Sequence, residues 1–184
     1  MTAGLEAARG VFTADLVHSS FEAEVTHFEI CSFRTRFSET SARLELGDGV
    51  ARLHGEAKVE SISIQSPPPF RQNVVFGEDF FDAARYPVIA FTADKLSFLD
   101  GGELEVDGSL TIKDVTRPVE VRGSYRGPIE DRFGSTRIGL DLSATIDRRD
   151  FGISYQAPLP GGGKSVGWEV LIDINLELIQ AKEA

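Results

Sequence analysis

The side chains of this sequence best able to carry chemistry are three histidines, His18, His27 and His54, and a single cysteine, Cys31. A metal site needs several ligands that converge, usually at short spacing. His18 and His27 lie nine residues apart, so they would point to opposite faces of any strand that carried both. Asp15, three residues before His18, is a nearby carboxylate. The spacing favours structural histidines over a metal centre, and one cysteine permits no intrachain disulfide.

Two short motifs resemble sites that bind metal or phosphate. Asp150-Phe151-Gly152 spells the kinase metal-binding tripeptide, but no His-Arg-Asp catalytic loop or glycine-rich phosphate loop accompanies it. Gly163-Lys164-Ser165 resembles the end of a P-loop, yet Pro158 stands where the first glycine belongs, and a strand pattern follows instead of a helix. No Gly-x-Ser-x-Gly nucleophile elbow is present. The motifs therefore predict no catalytic residue and no cofactor.

The composition describes an acidic globular chain. Its 184 residues carry a formal net charge of −10, and 41% of them are hydrophobic. One core serves a chain of this length, so we expect a single domain over residues 1–184. Because nucleic-acid affinity rests mostly on basic groups, the negative charge argues against a nucleic-acid partner.

The hydropathy pattern bears on location. Residues 1–10 contain no apolar run of the kind that a signal peptide needs. No stretch approaches the roughly 20 apolar residues of a membrane-spanning helix. We therefore expect a cytoplasmic protein without stable membrane insertion.

Alternation of apolar with polar residues is the strongest structural signal, since successive side chains of a strand point to opposite faces. The longest run covers residues 166–178 and predicts one long strand. Shorter alternating sets begin at Phe21, Ala42, Ala51, Leu104, Val119 and Ile138. Turn-forming residues occur at 47–49, 100–102, 113–116 and 126–128. These features predict an all-β fold, an antiparallel barrel of about eight strands.

One stretch breaks the alternation. Residues 67–69 are three prolines, which cannot lie in a central strand. Residues 70–86 follow with irregularly spaced apolar side chains and predict a short helical insertion that ends before Pro87. In a barrel, such an insertion would lie across one mouth, where it could plug or gate the interior.

The interior of the predicted barrel is rich in phenylalanine and in small residues. An eight-stranded barrel either just fills with its own side chains or holds one slim ligand. Small residues on the predicted inward faces favour the second outcome; they are Ala23, Gly55, Ala57, Gly108, Gly123 and Ala144. The predicted lining of an apolar tunnel is Phe21, Ala23, Val25, Phe37, Phe81, Phe91, Leu110, Leu140, Trp168, Val170 and Ile172.

Five blocks of residues, in the same order, resemble the YceI-like family over residues 11–179. They are Asp15-Leu16-Val17-His18-Ser19-Ser20-Phe21 with His27; Phe33-Arg34-Thr35-Arg36-Phe37; Asp79-Phe80-Phe81-Asp82-Ala83-Ala84-Arg85-Tyr86-Pro87 with Phe91; Gly108-Ser109-Leu110-Thr111-Ile112 with Val115-Thr116-Arg117-Pro118-Val119; and Ile146-Asp147-Arg148-Arg149-Asp150-Phe151-Gly152-Ile153.

The resemblance implies an extended lipocalin-like barrel whose tunnel holds a polyprenyl chain or a similar amphiphile, with no catalytic residues assigned. One departure concerns the insertion. The family usually has an Arg-Asp-x-His-Leu type of helix, whereas this chain has Arg71-Gln72-Asn73-Val74-Val75 and lacks that histidine. Many relatives also carry export signals.

The leading hypothesis is a binding protein that carries or sequesters a long-chain isoprenoid, polyprenyl or quinone-like, or a related amphiphile, with its tail inward. An enzyme acting on a bound lipid, such as a cyclase or isomerase, would need an ionisable group of shifted pKa in the tunnel. The predicted inward sets contain none. A barrel filled by its own phenylalanines would act through its surface instead. The oligomeric state is left open, a homodimer included.

Overall fold

The computed structural model describes residues 5, 8–47 and 49–181. Ten strands and one α-helix make up this part of the chain. The strands are β1 (Gly10–Ala14), β2 (Ser20–His27), β3 (Cys31–Arg36), β4 (Thr40–Gly47), β5 (Val50–Lys58), β6 (Val88–Phe98), β7 (Glu103–Ile112), β8 (Val115–Glu130), β9 (Thr136–Asp147) and β10 (Val166–Gln180). The helix is α1 (Pro68–Phe76), and 3-10 turns lie at Val59–Ser61, Asp100–Gly102 and Arg148–Phe151.

β10 closes the sheet into a barrel, because it is long enough to pair with three strands. One edge of β10 pairs with β9, while the other pairs with β1 near Gln180 and with β2 between Asn175 and Val166. β1 and β2 are thus successive parts of one interrupted strand of the barrel, and β3 and β4 form the next in the same way. Strands β5 to β9 complete the ring. The predicted eight-stranded antiparallel barrel with a short helix is confirmed.

One predicted turn is wrong. Residues 126–128 lie inside β8, and residues 131–135 make the connection to β9 instead. The pairing of β8 with β9 shifts register between Arg126 and Ile129, which marks a β-bulge. Gly127 has a φ of 96° there, and Pro128 has no N–H to leave unpaired. Residues typical of turns therefore also suit a bulge within a strand.

The helical insertion has different bounds from those predicted. α1 begins at Pro68, because proline is tolerated in the first helical turn, where its missing N–H has no partner to lose. It ends at Phe76, and residues 77–86 form turns. Asp48, in the predicted turn at 47–49, and most of residues 1–10 lie outside the described residues.

One half of the barrel is filled by its own side chains. Inward residues of the strands meet there in a continuous core that excludes water. The strand residues buried most deeply in it are Phe12, Leu44, Leu104, Val106, Ile138, Leu140 and Leu178. This packed half supplies a solid end to the barrel.

A polar network lies at the same end. Arg137 donates from Nε to Asp131 at 2.6 Å and from Nη1 to Asp15 at 3.1 Å and to Glu177. Asp131 also accepts two backbone N–H groups of its own turn. These hydrogen bonds, with that from Arg137 the largest cause, lower the pKa of Asp131 to about 2. The network ties the turn between β8 and β9 to the break between β1 and β2.

The packed half should be more sensitive to truncation than the rest of the interior. We expect Leu140→Ala to lower the free energy of unfolding by about 2–5 kcal/mol, because it leaves a void among well-packed side chains. Leu110→Ala, at a cavity wall described below, should cost at least about 1 kcal/mol less, since Leu110 lacks packing partners on one side. Urea denaturation of both variants tests this, and equal losses would contradict a half-filled barrel.

The Arg137 network should make the free energy of unfolding depend on pH in the acidic range. The folded pKa of Asp131 is about 2, below its ordinary 3.8, so its contribution is complete above about pH 4 and is lost as pH falls toward 2. We expect Arg137→Met to lower stability at neutral pH and to flatten its decline between about pH 4 and pH 2. The control is Arg52→Met, which breaks an exposed pair with Asp94. An equally steep decline in Arg137→Met would refute this role.

Candidate ligand-binding cavity

The other half of the barrel encloses a cavity of about 690 Å³. Its walls are inward-facing side chains of the strands, nearly all aliphatic or aromatic. They include Phe21, Ala23, Val25, Leu53, Ala57, Ile89, Phe91, Leu110, Ile112, Val119, Val121, Leu142, Ala144, Ile146, Val170, Ile172, Ile174 and Leu176. Ligand sites in proteins commonly have volumes of this order and predominantly apolar linings.

The packed half forms the floor of this cavity. Leu53, Leu142 and Leu176 line the cavity and also belong to the packed core. The interior therefore changes from filled to open along the barrel axis at the level of these leucines. A ligand can occupy one half only.

The insertion forms part of the cavity wall. Ile62, Ile64, Val74 and Phe81, from α1 and the segments around it, contribute to the lining. Aromatic pairs hold the insertion against the rest of the protein: the ring of Phe81 lies 6.4 Å from that of Phe37, and Phe80 stacks on Tyr155 at 4.6 Å. Such pairs add to the stability gained from burial alone.

The cavity reaches solvent where its lining residues are exposed. Phe28, Phe33 and Phe70 all line the cavity and are 43%, 36% and 40% exposed. The rings of Phe33 and Phe70 meet edge-on at 6.3 Å. The opening therefore lies between α1 and the hairpin of β2 and β3, and its rim is aromatic.

Nine of the eleven residues predicted to line a tunnel do line this cavity. They are Phe21, Ala23, Val25, Phe37, Phe81, Phe91, Leu110, Val170 and Ile172. Their contact with a ligand stays a prediction. Alternation identified these residues because each lies on an inward face, apart from Phe37 and Phe81, which come from connecting segments.

The other two predicted residues are not among those that line the cavity. Leu140 points inward as expected but lies in the packed half. Trp168 falls where the pairing of β10 with β2 shifts register between Val166 and Val170, so strict alternation fails there. Its ring is covered by the guanidinium groups of Arg148 and Arg149, at 4.4 and 4.8 Å from the centroid.

Two of the small inward residues do not make room in the way predicted. Ala23, Gly55, Ala57 and Ala144 line the cavity. Gly108 instead lies beneath the ring of Phe91, where a Cβ would come within 2.2 Å of Phe91 Cζ. Gly123 allows close approach of β9, because a Cβ would lie 1.8 Å from the carbonyl oxygen of Asp141.

Sequence reasoning missed a buried arginine on the cavity wall. Arg148, in the 3-10 turn after β9, is only 4% exposed and lines the cavity. Its Nε donates to Gly167 O at 2.7 Å, Nη1 to Ile153 O at 2.9 Å, and Nη2 to Tyr155 O at 2.8 Å and Val166 O at 3.2 Å. Burial lowers the pKa of Arg148 from its ordinary value. The feature of the sequence that points to it is the pair of arginines, Arg148 and Arg149, directly after an alternating strand pattern.

The histidine that sequence analysis placed near Asp15 lies at the packed end, away from the cavity. Potential ligand atoms of Asp15, His18 and Glu177 come within 4.8 Å of one another. His18 Nδ1 lies 3.0 Å from Asp15 Oδ2, and this hydrogen bond raises the pKa of His18. Arg137 binds both carboxylates, so an arginine already supplies the positive charge there.

The described residues contain no helix that is long and apolar enough to span a bilayer. α1, the one α-helix in this part of the chain, has nine residues.

The fold and the cavity define a class: closed antiparallel barrels with an apolar interior space that opens at one end. The model of the YceI-like domain family matches residues 12–178 of this chain. The chain therefore belongs to the YceI-like family, as the sequence blocks indicated.

Curated proteins and solved structures also match this chain. A UPF0312 protein of Staphylococcus aureus (strain MSSA476) is 29% identical over 172 residues, covering 90% of this chain and 95% of that protein. The crystal structure of BcnA from Burkholderia cenocepacia aligns with a TM-score of 0.73 at 21% identity, covering 91% of this chain and 99% of BcnA. A domain from Saccharophagus degradans, described as polyisoprenoid binding, aligns with a TM-score of 0.68 at 14% identity over 92% of this chain and 98% of that domain. At these identities the solved structures establish the fold.

The contact between Gly108 and Phe91 can be tested by a double-mutant cycle. We expect Gly108→Ala to destabilise the protein by about 1–3 kcal/mol, because the new methyl group displaces the Phe91 ring. The same change should cost less in a Phe91→Leu background, which removes the ring.

Gly55→Ala is the matched control, since its Cβ would meet only Ser41 O at an ordinary 3.6 Å. Chemical denaturation of the four proteins in the cycle gives the coupling energy. Additive effects of the two changes would show that the ring is not what Gly108 accommodates.

Proposed function

We propose that this protein binds a long-chain isoprenoid or a related amphiphilic lipid in the cavity, and so carries or sequesters it. The observation that supports this most directly is the half-filled barrel, with an apolar space of about 690 Å³ above a leucine floor. A hydrocarbon tail would lie against the floor, and the polar end would remain nearer the opening. Burial of each methylene contributes about 0.8 kcal/mol, so affinity should rise with chain length until the cavity is full.

Similarity to known proteins supports the same proposal. The Saccharophagus degradans domain with this fold is described as a polyisoprenoid binding domain. What it binds is a property of that protein. It suggests isoprenoids as the first ligands to try here.

Binding is favoured over catalysis by the charged group that is buried on the cavity wall, because the lining histidine, His27, is exposed to solvent. Lipid cyclisation or isomerisation by acid–base chemistry needs a group that exchanges protons near neutral pH. Arg148 lines the cavity, but a guanidinium stays protonated in proteins even when its pKa is lowered. It can bind an anion without transferring a proton.

Extraction of the purified protein with organic solvent, followed by mass spectrometry, should recover lipid in about a 1:1 ratio to protein. Ala144→Phe should reduce this recovery severalfold, because Ala144 lines the cavity and pairs across the sheet with Ile172. The matched control is Thr145→Phe, an exposed neighbour on the same strand that should retain lipid.

Circular dichroism and thermal unfolding would establish that both variants are folded. Consistently empty wild-type protein that also fails to take up added prenyl lipids would refute the proposed function. Equal loss of lipid in the two variants would place the ligand outside the cavity.

A further inference from the structure

Arg148 is a buried charge whose hydrogen bonds do not neutralise it. Transfer of a charge from water to a protein interior is costly unless another charge compensates it. All four of its hydrogen-bond acceptors are backbone carbonyl groups, which carry no net charge. Arg148 forms no ion pair with any carboxylate of the described residues.

The acidic side chain nearest in sequence, that of Asp147, forms its ion pair with another arginine. Asp147 binds the neighbouring Arg149 through Nε and Nη2, and that arginine is half exposed. Asp147 also accepts the backbone N–H of Arg149. Asp147 therefore stabilises the charge of Arg148 only through space, without a hydrogen bond between the two side chains.

The acidic residues along the cavity wall are directed elsewhere too. Glu24 pairs with Arg34 at 2.6 Å, Glu56 pairs with His54 at 3.3 Å, and Glu22 is exposed. Among the described lining residues, the buried charge is positive, and its neighbours are backbone carbonyls and the Trp168 ring, with no ion-pair partner. The cavity is thus apolar along its length but attractive to an anion at one place.

The hydrogen-bonding capacity of Arg148 is also incomplete. Nη1 carries two hydrogens, and its one acceptor among the described residues is Ile153 O at 2.9 Å. Hydrogen bonds between a guanidinium and a carboxylate or phosphate are stronger than those between neutral groups. One donor therefore remains for such an anion.

The position of Arg148 suits the polar end of a single-chain lipid. It binds Val166 O at the beginning of β10, while Leu176, in the floor, lies ten residues further along that strand. At about 3.3 Å per residue and a typical strand tilt, this corresponds to roughly 25 Å along the barrel axis. A long tail can extend from the arginine to the floor.

We propose that the lipid held by this protein carries an anionic headgroup, a carboxylate or a phosphate, which binds Arg148. This inference rests on the proposed function, because it assigns the headgroup of the ligand in the same cavity. Neutral lipids of equal chain length, such as alcohols, would fill the same apolar space but leave Arg148 without an ion-pair partner.

The test compares lipids that differ only in the headgroup, on lipid-stripped full-length protein at pH 8. One pair is hexadecanoate and hexadecan-1-ol, and the other is farnesyl phosphate and farnesol. Affinities come from displacement of a neutral fluorescent lipid. We expect the wild-type protein to prefer the anion about tenfold or more in at least one pair, and the preferred pair distinguishes carboxylate from phosphate.

Arg148→Met should abolish this preference while changing the affinity for the matching alcohol by less than about threefold, because the apolar walls are retained. Arg149→Met is the matched control, an exposed arginine one residue away, and should keep the preference. Arg148→Lys retains the positive charge and should therefore keep part of the preference for the anionic lipid. If Arg148→Met does not fold, the wild-type comparison and the lysine variant still test whether Arg148 binds an anionic headgroup.

Equal binding of anion and alcohol by the wild-type protein in both pairs would overturn the headgroup assignment and leave the proposed function standing. Loss of the preference in Arg149→Met as well would also overturn it, since the effect would then be one of general charge. Failure to bind any of the four lipids would overturn both proposals.

Discussion

The structure depends on the hydrogen bonding of β10 along both of its edges. A strand of fifteen residues is long enough for one edge to pair with β9 while the other holds β1 and then β2. Without that length, the first strands would have no common neighbour, and the sheet would retain the exposed edges that favour aggregation. Closure also fixes an interior, because every inward side chain then faces the same enclosed space. Whether the protein can bind a ligand therefore depends on how much of that space its own side chains fill.

The interior is divided into two halves of different character. At one end, large side chains such as Phe12 and Leu104 meet in a core without room for a ligand, and the Arg137 network binds the surrounding turns together. At the other end, small residues such as Ala23, Gly55 and Ala144 leave the centre open, and the insertion contributes to the wall. The filled half contributes stability that an open barrel lacks, since burial and close packing are the main sources of folding free energy. An apolar cavity in one half is therefore tolerated because the other half is well packed.

A charge on the wall of an apolar cavity favours one orientation of a bound amphiphile, with its polar end beside the charge. Apolar walls attract any hydrocarbon, so they discriminate mainly by length and width. Arg148 adds a fixed positive charge in a poorly hydrated place, where electrostatic interactions are stronger than in water. Its four bonds to backbone carbonyls hold the guanidinium in place and attach the segment after the 3-10 turn to the start of β10. The Arg148 side chain thus both stabilises the cavity wall and places a positive charge at one point on it.

The sequence by itself determined the barrel, the insertion and most of the cavity wall. Period-two alternation specifies which residues of a regular strand face inward, and this holds for Ala23, Leu110 and Ile172 without knowledge of their neighbours. Only the tertiary structure decided which part of the interior is open: Leu140 obeys the same alternation as Leu110 but meets a packed core, because filling depends on all eight strands at once. It likewise decided where alternation fails, at the bulges beside Trp168 and Gly127, and how the irregular segments bury Arg148. Those features arise from contacts between residues far apart in the chain, which no local pattern records.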